Sequence, residues 1–336
     1  MSRSHPSVAI VGASGAVGTE LIACLQQRRF PLRQLRLFAS ARSAGRRLAY
    51  GGDSLPVEEL TEQALTGTEI ALFSAGSATA RRFVPHAVRA GAVVIDNSSA
   101  FRMDADVPLV VPEVNADAIA AHHGVIANPN CVAIIAVVPL WPLHQEFGIR
   151  RIIAATYQAA SGAGAAAMQE LRDSTRAALA GEAFSPKVLR HPYAFNLFSH
   201  DTAVDPASGA NEEETKVARE LRKIMRAPQL RIGITCIRVP VLRAHAVALN
   251  VEFERTVTPE AARALLAQAP GVRVVDDVGA NHFPMPAEAS GQGDVLVGRI
   301  RSDDSDPSGH SLALFVAGDQ LLKGAALNAV QIAERL

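Results

Sequence analysis

The chain of 336 residues carries no surplus of charge: 33 Lys and Arg stand against 33 Asp and Glu, for a formal net charge of zero. That removes the usual electrostatic ground for expecting nucleic acid or a membrane surface as a partner, while a local basic site for a small anion stays open. Cysteine is scarce. Cys24, Cys131 and Cys236 lie far apart without Cys-x-x-Cys spacing, which indicates neither a disulfide framework nor a zinc site. The ten histidines lack ligand spacing too, so no metal is expected. Long apolar runs are missing: the one after Cys131 meets Pro139 and Pro142, well short of the ~20 residues a membrane span needs. The N-terminus reaches Gly12 after too short an apolar stretch for a signal-peptide core. A soluble, cytoplasmic protein is expected. Internal repeats and low-complexity linkers are absent, and with 49% hydrophobic residues the chain can build cores in two domains.

What is present concentrates around Asn128-Pro129-Asn130-Cys131, followed by an apolar run from Val132 to Val138. The spacing puts Cys131 in the first turn of a buried helix. Unpaired N–H groups and the macrodipole make that end positive, which favours thiolate and pulls the thiol below its free value of roughly 8.5. A small apolar side chain buried at a turn is the other reading of the same cysteine.

The N-terminal stretch reads as a nucleotide-binding unit. Ser7–Val11 is a short apolar strand, Gly12, Gly15 and Gly18 punctuate a turn, and Thr19–Leu25 resumes with helical spacing. Gly12 permits the tight turn, Gly15 lets a pyrophosphate approach the backbone, and Gly18 allows close helix packing. A plain strand-to-helix turn is the alternative. The second strand, Leu35–Ala39, ends in Ser40, Arg42 and Ser43 with no acidic residue for a ribose 2′-hydroxyl, which points to the 2′-phosphate of NADP. Arg46 and Arg47 read equally well as a solvated basic turn. Further parallel strands are expected at 68–73, 92–95 and 124–127, ending in small or polar residues, and ligands bind at such carboxyl ends. The fold class is therefore α/β, opening with a Rossmann-type parallel sheet.

Beyond Cys131, strands are expected at 151–157, 230–240, 246–253, 272–275, 294–300 and 311–317, with helices from the loop at 158–164 to about Leu179 and from about Asn211 to Met225. Their connections call for a mixed or antiparallel sheet. Lys323–Glu334 reads as an apolar-faced helix that packs back on the first domain. The domains are accordingly placed at 1–131, completed by 318–336, and at 132–317.

Gly12–Gly18, Asp96–Arg102, Val107–Asn115, Asn128–Cys131, Thr156–Gln158, Cys236–Val241 and Lys323–Asn328, in this order, resemble the aspartate-semialdehyde dehydrogenase family over essentially the whole chain. The resemblance implies NADPH-dependent, reversible conversion of L-aspartyl-4-phosphate to L-aspartate 4-semialdehyde by a homodimer, on the lysine, threonine and methionine route. It also implies a glyceraldehyde-3-phosphate-dehydrogenase-like α+β catalytic domain. Residue by residue it makes Cys131 the nucleophile, Gln158 its helper in positioning the thiohemiacetal, and His245 the acid/base. Arg238 is expected on the substrate carboxylate, Glu213 on its ammonium, and Arg102 with Lys216 on the phosphate. The cofactor falls to Gly12, Ser14, Gly15, Ala16, Val17, Ser40, Arg42, Ser43, Ser74, Gly76, Asn97, Ser161, Gly162 and Gln320.

Read from the residues alone, His245 is a surface histidine at a strand entrance, and Glu213 with Lys216, three apart, an ordinary intrahelical ion pair. A continuous strand would put Arg238 and His245 on opposite faces; Pro240 and the small residues near Ala244 indicate a break that brings both to one pocket. The chain departs from the family pattern at Val132-Ala133 and Ala246–Ala248, where hydroxyls are usual, and at Gln320, where Asn is usual. Two alternatives remain open: a related N-acyl-amino-acid phosphate reductase, such as N-acetyl-glutamyl-phosphate reductase, and a non-catalytic paralogue acting as a binding or scaffold protein. Glu213 argues against the first, since a carboxylate suits a free ammonium.

Overall fold

The computed structural model describes residues 5–336, so positions 1–4 of the expected first domain lie outside the described residues. The chain divides into two compact units, one running to Asn130 and taking in Ala325–Leu336, the other Cys131–Gly324.

The first unit contains β1 (Ser7–Val11), α1 (Ala16–Gln27), β2 (Gln34–Ala39), β3 (Arg47–Tyr50), β4 (Asp53–Glu59), β5 (Ile70–Phe73), α2 (Ser77–Arg89), β6 (Val93–Asp96), α3 (Pro112–Asn115) and β7 (Val125–Ala127). The strand order is β3-β4-β2-β1-β5-β6-β7, parallel except where β3 pairs antiparallel with β4. All five residues of β1 are buried, as a strand covered on both faces requires. Order reverses at β1, between β2 and β5, so the loop after β1 opens at the switch point where nucleotides bind in this class of sheet. The β3–β4 hairpin was not anticipated. Apart from the buried Val57 its residues are exposed or half-buried, it carries Pro56, and it lies at the sheet edge, so it leaves no apolar run in the sequence.

The second unit contains α4 (Cys131–Phe147), β8 (Ile149–Gln158), α5 (Ala165–Ala180), β9 (Phe198–Ser199), α6 (Glu212–Ile224), β10 (Arg231–Arg238), β11 (His245–Phe253), α7 (Pro259–Leu266), β12 (Val272–Val274), α8 (Pro286–Ala289), β13 (Val295–Ser302) and β14 (Ser311–Gly318). Its sheet has the order β12-β13-β14-β11-β8-β10-β9 and is mixed: β8 runs parallel to β10 and antiparallel to β11. α4 packs against β8, β11, β13 and β14, α6 against β10, and α7 against β12 and β13.

Helix α4 passes through Pro139 and Pro142, which stop neither the helix nor its burial. Each proline removes a backbone bond. Against that, Val132, Ile134, Ile135, Val137, Val138, Leu140 and Leu143 are all buried, each such side chain contributing on the order of 1.5–3 kcal/mol. Among the described residues no helix is long and apolar enough to cross a membrane. The C-terminal segment begins as a π-helical turn, Leu322–Ala326, and becomes α-helical only over Leu327–Ala333, which we call α9. α9 packs on α1 and β6 within the first unit, and Arg28 on the end of α1 forms an ion pair of 2.6 Å with Glu334.

Candidate active site

Register fixes the core of the site. β8 pairs Gln158 with Arg238 of β10, while Ala246 of β11 pairs with Tyr157, which sets His245 opposite Gln158. Laterally paired residues share a face, so Arg238, Gln158 and His245 form a row on one face of three adjacent strands. His245 pairs on its other side with Gly318 of β14. A Cβ at Gly318 would stand 2.9 Å from Ile135 of α4, so this is the face that α4 covers. Cys131, one turn before Ile135, begins the helix and is half-buried. It lies close to Gly324, whose added Cβ would come within 3.0 Å of the Cys131 Cβ.

Arg238 and His245 reach one face because the chain breaks between them. β10 ends at Arg238, β11 begins at His245, and Ala244 takes a left-handed φ of +71°. Gln320 holds this break in place. Its Oε1 accepts the Ala244 N–H at 2.9 Å and its Nε2 donates to Ser161 Oγ, so its amide is engaged at both ends.

Each member of the row is tied down. The Gln158 amide accepts from Thr156 Oγ1 at 3.0 Å and donates to Glu213 Oε1 at 3.1 Å, which fixes its orientation. Arg238, buried, donates through Nε to Asp201 at 3.2 Å and through Nη1 to the Ala159 carbonyl at 3.4 Å. Burial, the largest single influence, would raise the Asp201 carboxyl, but the Arg238 guanidinium, a backbone hydrogen bond and His200 together outweigh it and hold the group below the usual carboxylate range. His245 is fully buried; its Nδ1 accepts the Ala159 N–H at 2.9 Å, and Nε2 has no hydrogen-bond partner among the described residues. Burial, then Arg238 and His200, pushes its proton affinity well below that of an ordinary imidazole.

Glu213 lies in the first turn of α6, whose N-terminus is closed by a capping box between Asn211 and Glu214. The second oxygen of Glu214 accepts the N–H of Cys236 on β10 at 3.0 Å, stitching helix to strand. Lys216 pairs with Glu212 at 3.0 Å on the outer side of α6. Cys236, the other cysteine of this unit, is buried, and burial pushes its thiol strongly up. Three neighbours carried no signal in the sequence: Asp201, which holds Arg238; His200, held neutral chiefly by burial and then by Arg238; and Tyr193, whose hydroxyl donates to the Gln158 carbonyl at 3.4 Å and is pushed up to about 12 by burial. Only the pairing of β10 with β9, which sets Phe198 opposite Arg238, shows that the loop after β9 faces Arg238.

In the first unit the Gly12 turn fits a diphosphate. Gly12 has φ +85°, and a Cβ there would strike the Ser74 carbonyl oxygen at 2.2 Å; a Cβ at Gly18 would strike the Gly12 oxygen at 2.1 Å. Gly15 is the N-cap of α1 and would meet only the Gly12 oxygen, at 3.3 Å. No side chain caps α1 and no acidic residue lies in its first turn, so its N–H groups present an anion site flanked by Ser14, Ala16 and Val17. Ser74 and Gly76 follow β5, with Gly76 capping α2 at φ +79°. Buried Asn97 Oδ1, after β6, has no hydrogen-bond partner among the described residues. Ser40 precedes a 3₁₀ turn after β2, Ala41–Ser43, in which Arg42 is exposed and Ser43 half-buried, whereas Arg47 bonds Ser54 across the β3–β4 hairpin. Arg102 is buried in this unit and donates to the carbonyls of Asn128 at 3.0 Å and Asn97 at 2.7 Å.

Residues 7–122 match the family model described as semialdehyde dehydrogenase, NAD binding domain, and residues 140–323 the model described as semialdehyde dehydrogenase, dimerisation domain. The chain is 52% identical to a protein of Synechocystis sp. named aspartate-semialdehyde dehydrogenase, over 98% of this chain and 96% of that one. It is 45% identical to one of the same name from Aquifex aeolicus, over 98% and 97%. Among solved structures, aspartate semialdehyde dehydrogenase II of Vibrio cholerae complexed with ASA matches with a TM-score of 0.95 and 40% identity, over 99% of this chain and 98% of that one.

Proposed function

The chain belongs to the aspartate-semialdehyde dehydrogenase family, and from that premise we propose that it reduces L-aspartyl-4-phosphate to L-aspartate 4-semialdehyde, reversibly, through a thioester on Cys131. It is an enzyme, an oxidoreductase with a nicotinamide-dinucleotide-binding domain. The observation that carries the residue assignment is the row Arg238–Gln158–His245, joined to Glu213 through Gln158, on the sheet face covered by the helix that Cys131 begins.

In this reading the Cys131 thiolate attacks the acyl phosphate, favoured by the first turn of α4. The Arg238 guanidinium, aimed by Asp201, takes the substrate carboxylate. Glu213, steadied by Gln158, takes the ammonium, and the Gln158 amide helps to position the tetrahedral adduct. His245 serves as the acid/base, its Nε2 presented to the reacting oxygen. Arg102 and Lys216 hold the phosphate by charge-assisted bonds. The nicotinamide cofactor supplies or accepts the hydride when bound. The Gly12–Gly18 turn, with Ser14, Ala16, Val17, Ser74, Gly76 and Asn97, holds that cofactor, and Ser40, Arg42 and Ser43 select the 2′-phosphate of NADP. Ser161 and Gly162 complete the cofactor contacts, with Gln320 acting on them through its bond to Ser161. We assign cofactor binding to the unit that runs to Asn130 and takes in Ala325–Leu336, and catalysis to the unit Cys131–Gly324. We further propose a homodimer in the cytoplasm. The dimerisation-domain match and the exposure of Ile153 and Tyr157 on the sheet face away from α4 support the pairing.

The test is NADPH formation from aspartate semialdehyde, NADP and phosphate, run beside N-acetyl-glutamate semialdehyde. Turnover of the first that depends on phosphate, and that Cys131→Ala abolishes, is the expected result. Turnover in phosphate-free buffer, with aspartate as product, would overturn the assignment of Arg102 and Lys216.

A further inference from the structure

We propose that a cleft at the opposite end of the second unit's sheet binds a small aliphatic α-amino acid as its zwitterion, at a site separate from the one that turns over substrate. Four elements meet there: α4 ends at Phe147, β8 begins at Ile149, β10 begins at Arg231 and β11 ends at Phe253. Gln158 and Arg238 stand at the other ends of β8 and β10, and the ten residues of β8 span roughly 30 Å. The cleft has a volume of about 290 Å³, at the lower end for ligand sites, which restricts it to a small molecule.

Its charges come in both signs. Arg150 and Arg231 line it, and both lean on one carboxylate, Glu252, at 3.8 Å and 3.4 Å. The shortest contact of that carboxylate, 3.1 Å, goes to a third guanidinium, Arg151. Three cations around one anion leave positive charge in surplus, and the two longer pairs are free to re-form on a carboxylate that enters the cleft. Glu254 lines the cleft as well and forms no ion pair among the described residues. Its place is set by Gly148, φ +69°: the Glu254 N–H donates to the Gly148 carbonyl at 2.7 Å, and a Cβ on that glycine would stand 2.9 Å from Glu254 Oε2. A simple amine would be repelled by the arginines and a phosphate dianion by Glu254. A molecule that carries one ammonium and one carboxylate satisfies both.

The remaining lining says what the rest of that molecule is. His144 is a neutral donor: its Nδ1 accepts the Ile149 N–H at 2.9 Å, and burial, against the opposing pull of Glu254, keeps the ring uncharged, so its one proton stands on Nε2. Gln229 apart, the other lining residues are Ile149, Ala227 and Leu230, all buried and apolar. No further charge is present for a polar side chain to meet, so an aliphatic one fits best, its methyl groups leaving water against Ile149 and Leu230.

The experiment titrates the full chain with L-leucine, read by saturation-transfer NMR, beside 4-methylpentanoate, which lacks the ammonium, and 3-methylbutylamine, which lacks the carboxylate. Leucine should bind with a dissociation constant of about 1 mM or tighter, and each truncated analogue about tenfold or more weakly. Glu254→Gln should bring leucine and 4-methylpentanoate to within about threefold of each other, and Arg231→Gln should weaken leucine about tenfold. Both variants should keep wild-type melting temperatures and turnover. Absence of leucine binding up to about 10 mM would overturn the proposal, as would 4-methylpentanoate or inorganic phosphate binding as tightly as leucine, or leucine binding that neither substitution weakens. The comparison of ligands on the wild type decides even if a variant does not fold. None of these binding measurements depends on turnover, so failure of the wild type to reduce NADP with aspartate semialdehyde would count only against the function proposed above.

Discussion

Two glycines of the nucleotide turn, three residues apart, should respond to the same substitution in different ways, one in stability and the other in cofactor binding. Gly18 is in the first turn of α1, where alanine would ordinarily gain about 1 kcal/mol in helix propensity. Its added Cβ would fall 2.1 Å from the Gly12 oxygen and 2.7 Å from the Ala13 Cα, both backbone atoms that no rotamer change can move aside. Overpacking of this kind costs typically 1–3 kcal/mol, and an overlap this deep belongs at or above the upper end, so the clash wins. Gly18→Ala should therefore lower stability by about 2 kcal/mol or more, or roughly 4–8 °C in melting temperature for a unit of this size. Gly15 has an ordinary φ of −81° and meets only the Gly12 oxygen, at 3.3 Å. Gly15→Ala should cost the apo protein under about 1 kcal/mol while standing where the diphosphate approaches. The assay is thermal unfolding with and without NADP. At a hundred times its dissociation constant the cofactor should raise the wild-type melting temperature by roughly 5–10 °C, and Gly15→Ala should lose most of that gain. A Gly18→Ala protein that melts above wild type, or a Gly15→Ala protein with an undiminished NADP shift, would refute the reasoning.

Arg42→Ala should raise the Michaelis constant for NADPH about tenfold or more, the effect of one charge-assisted bond, and that for NADH much less; equal effects would make Arg42 only a solvated turn residue. Asp201→Asn should free the Arg238 guanidinium that it now holds at 3.2 Å and raise the Michaelis constant for aspartate semialdehyde about tenfold, or ~1.4 kcal/mol, with kcat little changed. A fall in kcat alone would show that Asp201 does not aim Arg238. His144, His200 and His245 are all held neutral, in each case chiefly by burial. Once unfolded, each returns to about 6.5. The unfolded chain then takes up protons that the folded one refuses, so their stabilisation is full above that pH and is lost as pH falls below it. Melting temperatures should drop between about pH 7 and pH 5; a flat profile would contradict the assignment. Asp201, held below its ordinary value, would act only at lower pH.

The parts legible in the sequence were those that depend on local pattern. The strand, glycine turn and helix at 7–27 announce themselves because glycine is required where Gly12 turns left-handed and where Gly18 meets the strand-end backbone. Apolar strands such as Ile70–Phe73 and Ser311–Gly318 are visible for the same reason, being buried along their length. The row proposed as the active site was legible only through family resemblance. Arg238, Gln158 and His245 meet because of the registers of β8 with two different partners, and register is a long-range property. Nothing within a few residues of Asp201 or Tyr193 distinguishes them from loop residues until Arg238 and Gln158 are placed beside them. The π-helical opening of the last segment was hidden too. Gly324 lies in it against the Cys131 side chain, a contact the sequence separates by nearly two hundred residues.

Because β8 has one parallel and one antiparallel neighbour, its length is protected against editing from both sides. A single inserted residue would turn Gln158 to the opposite face. A pair would restore the face but slide Gln158 past Arg238 and past His245 in one movement, since both partners read the same strand. On the proposed function, variation in substrate preference must therefore enter through segments that end on the row and not through the strands beneath it. The loop that supplies Asp201 and the turn that carries Gly162 are two such places, where residues can be gained or lost while the three-strand alignment stays as it is.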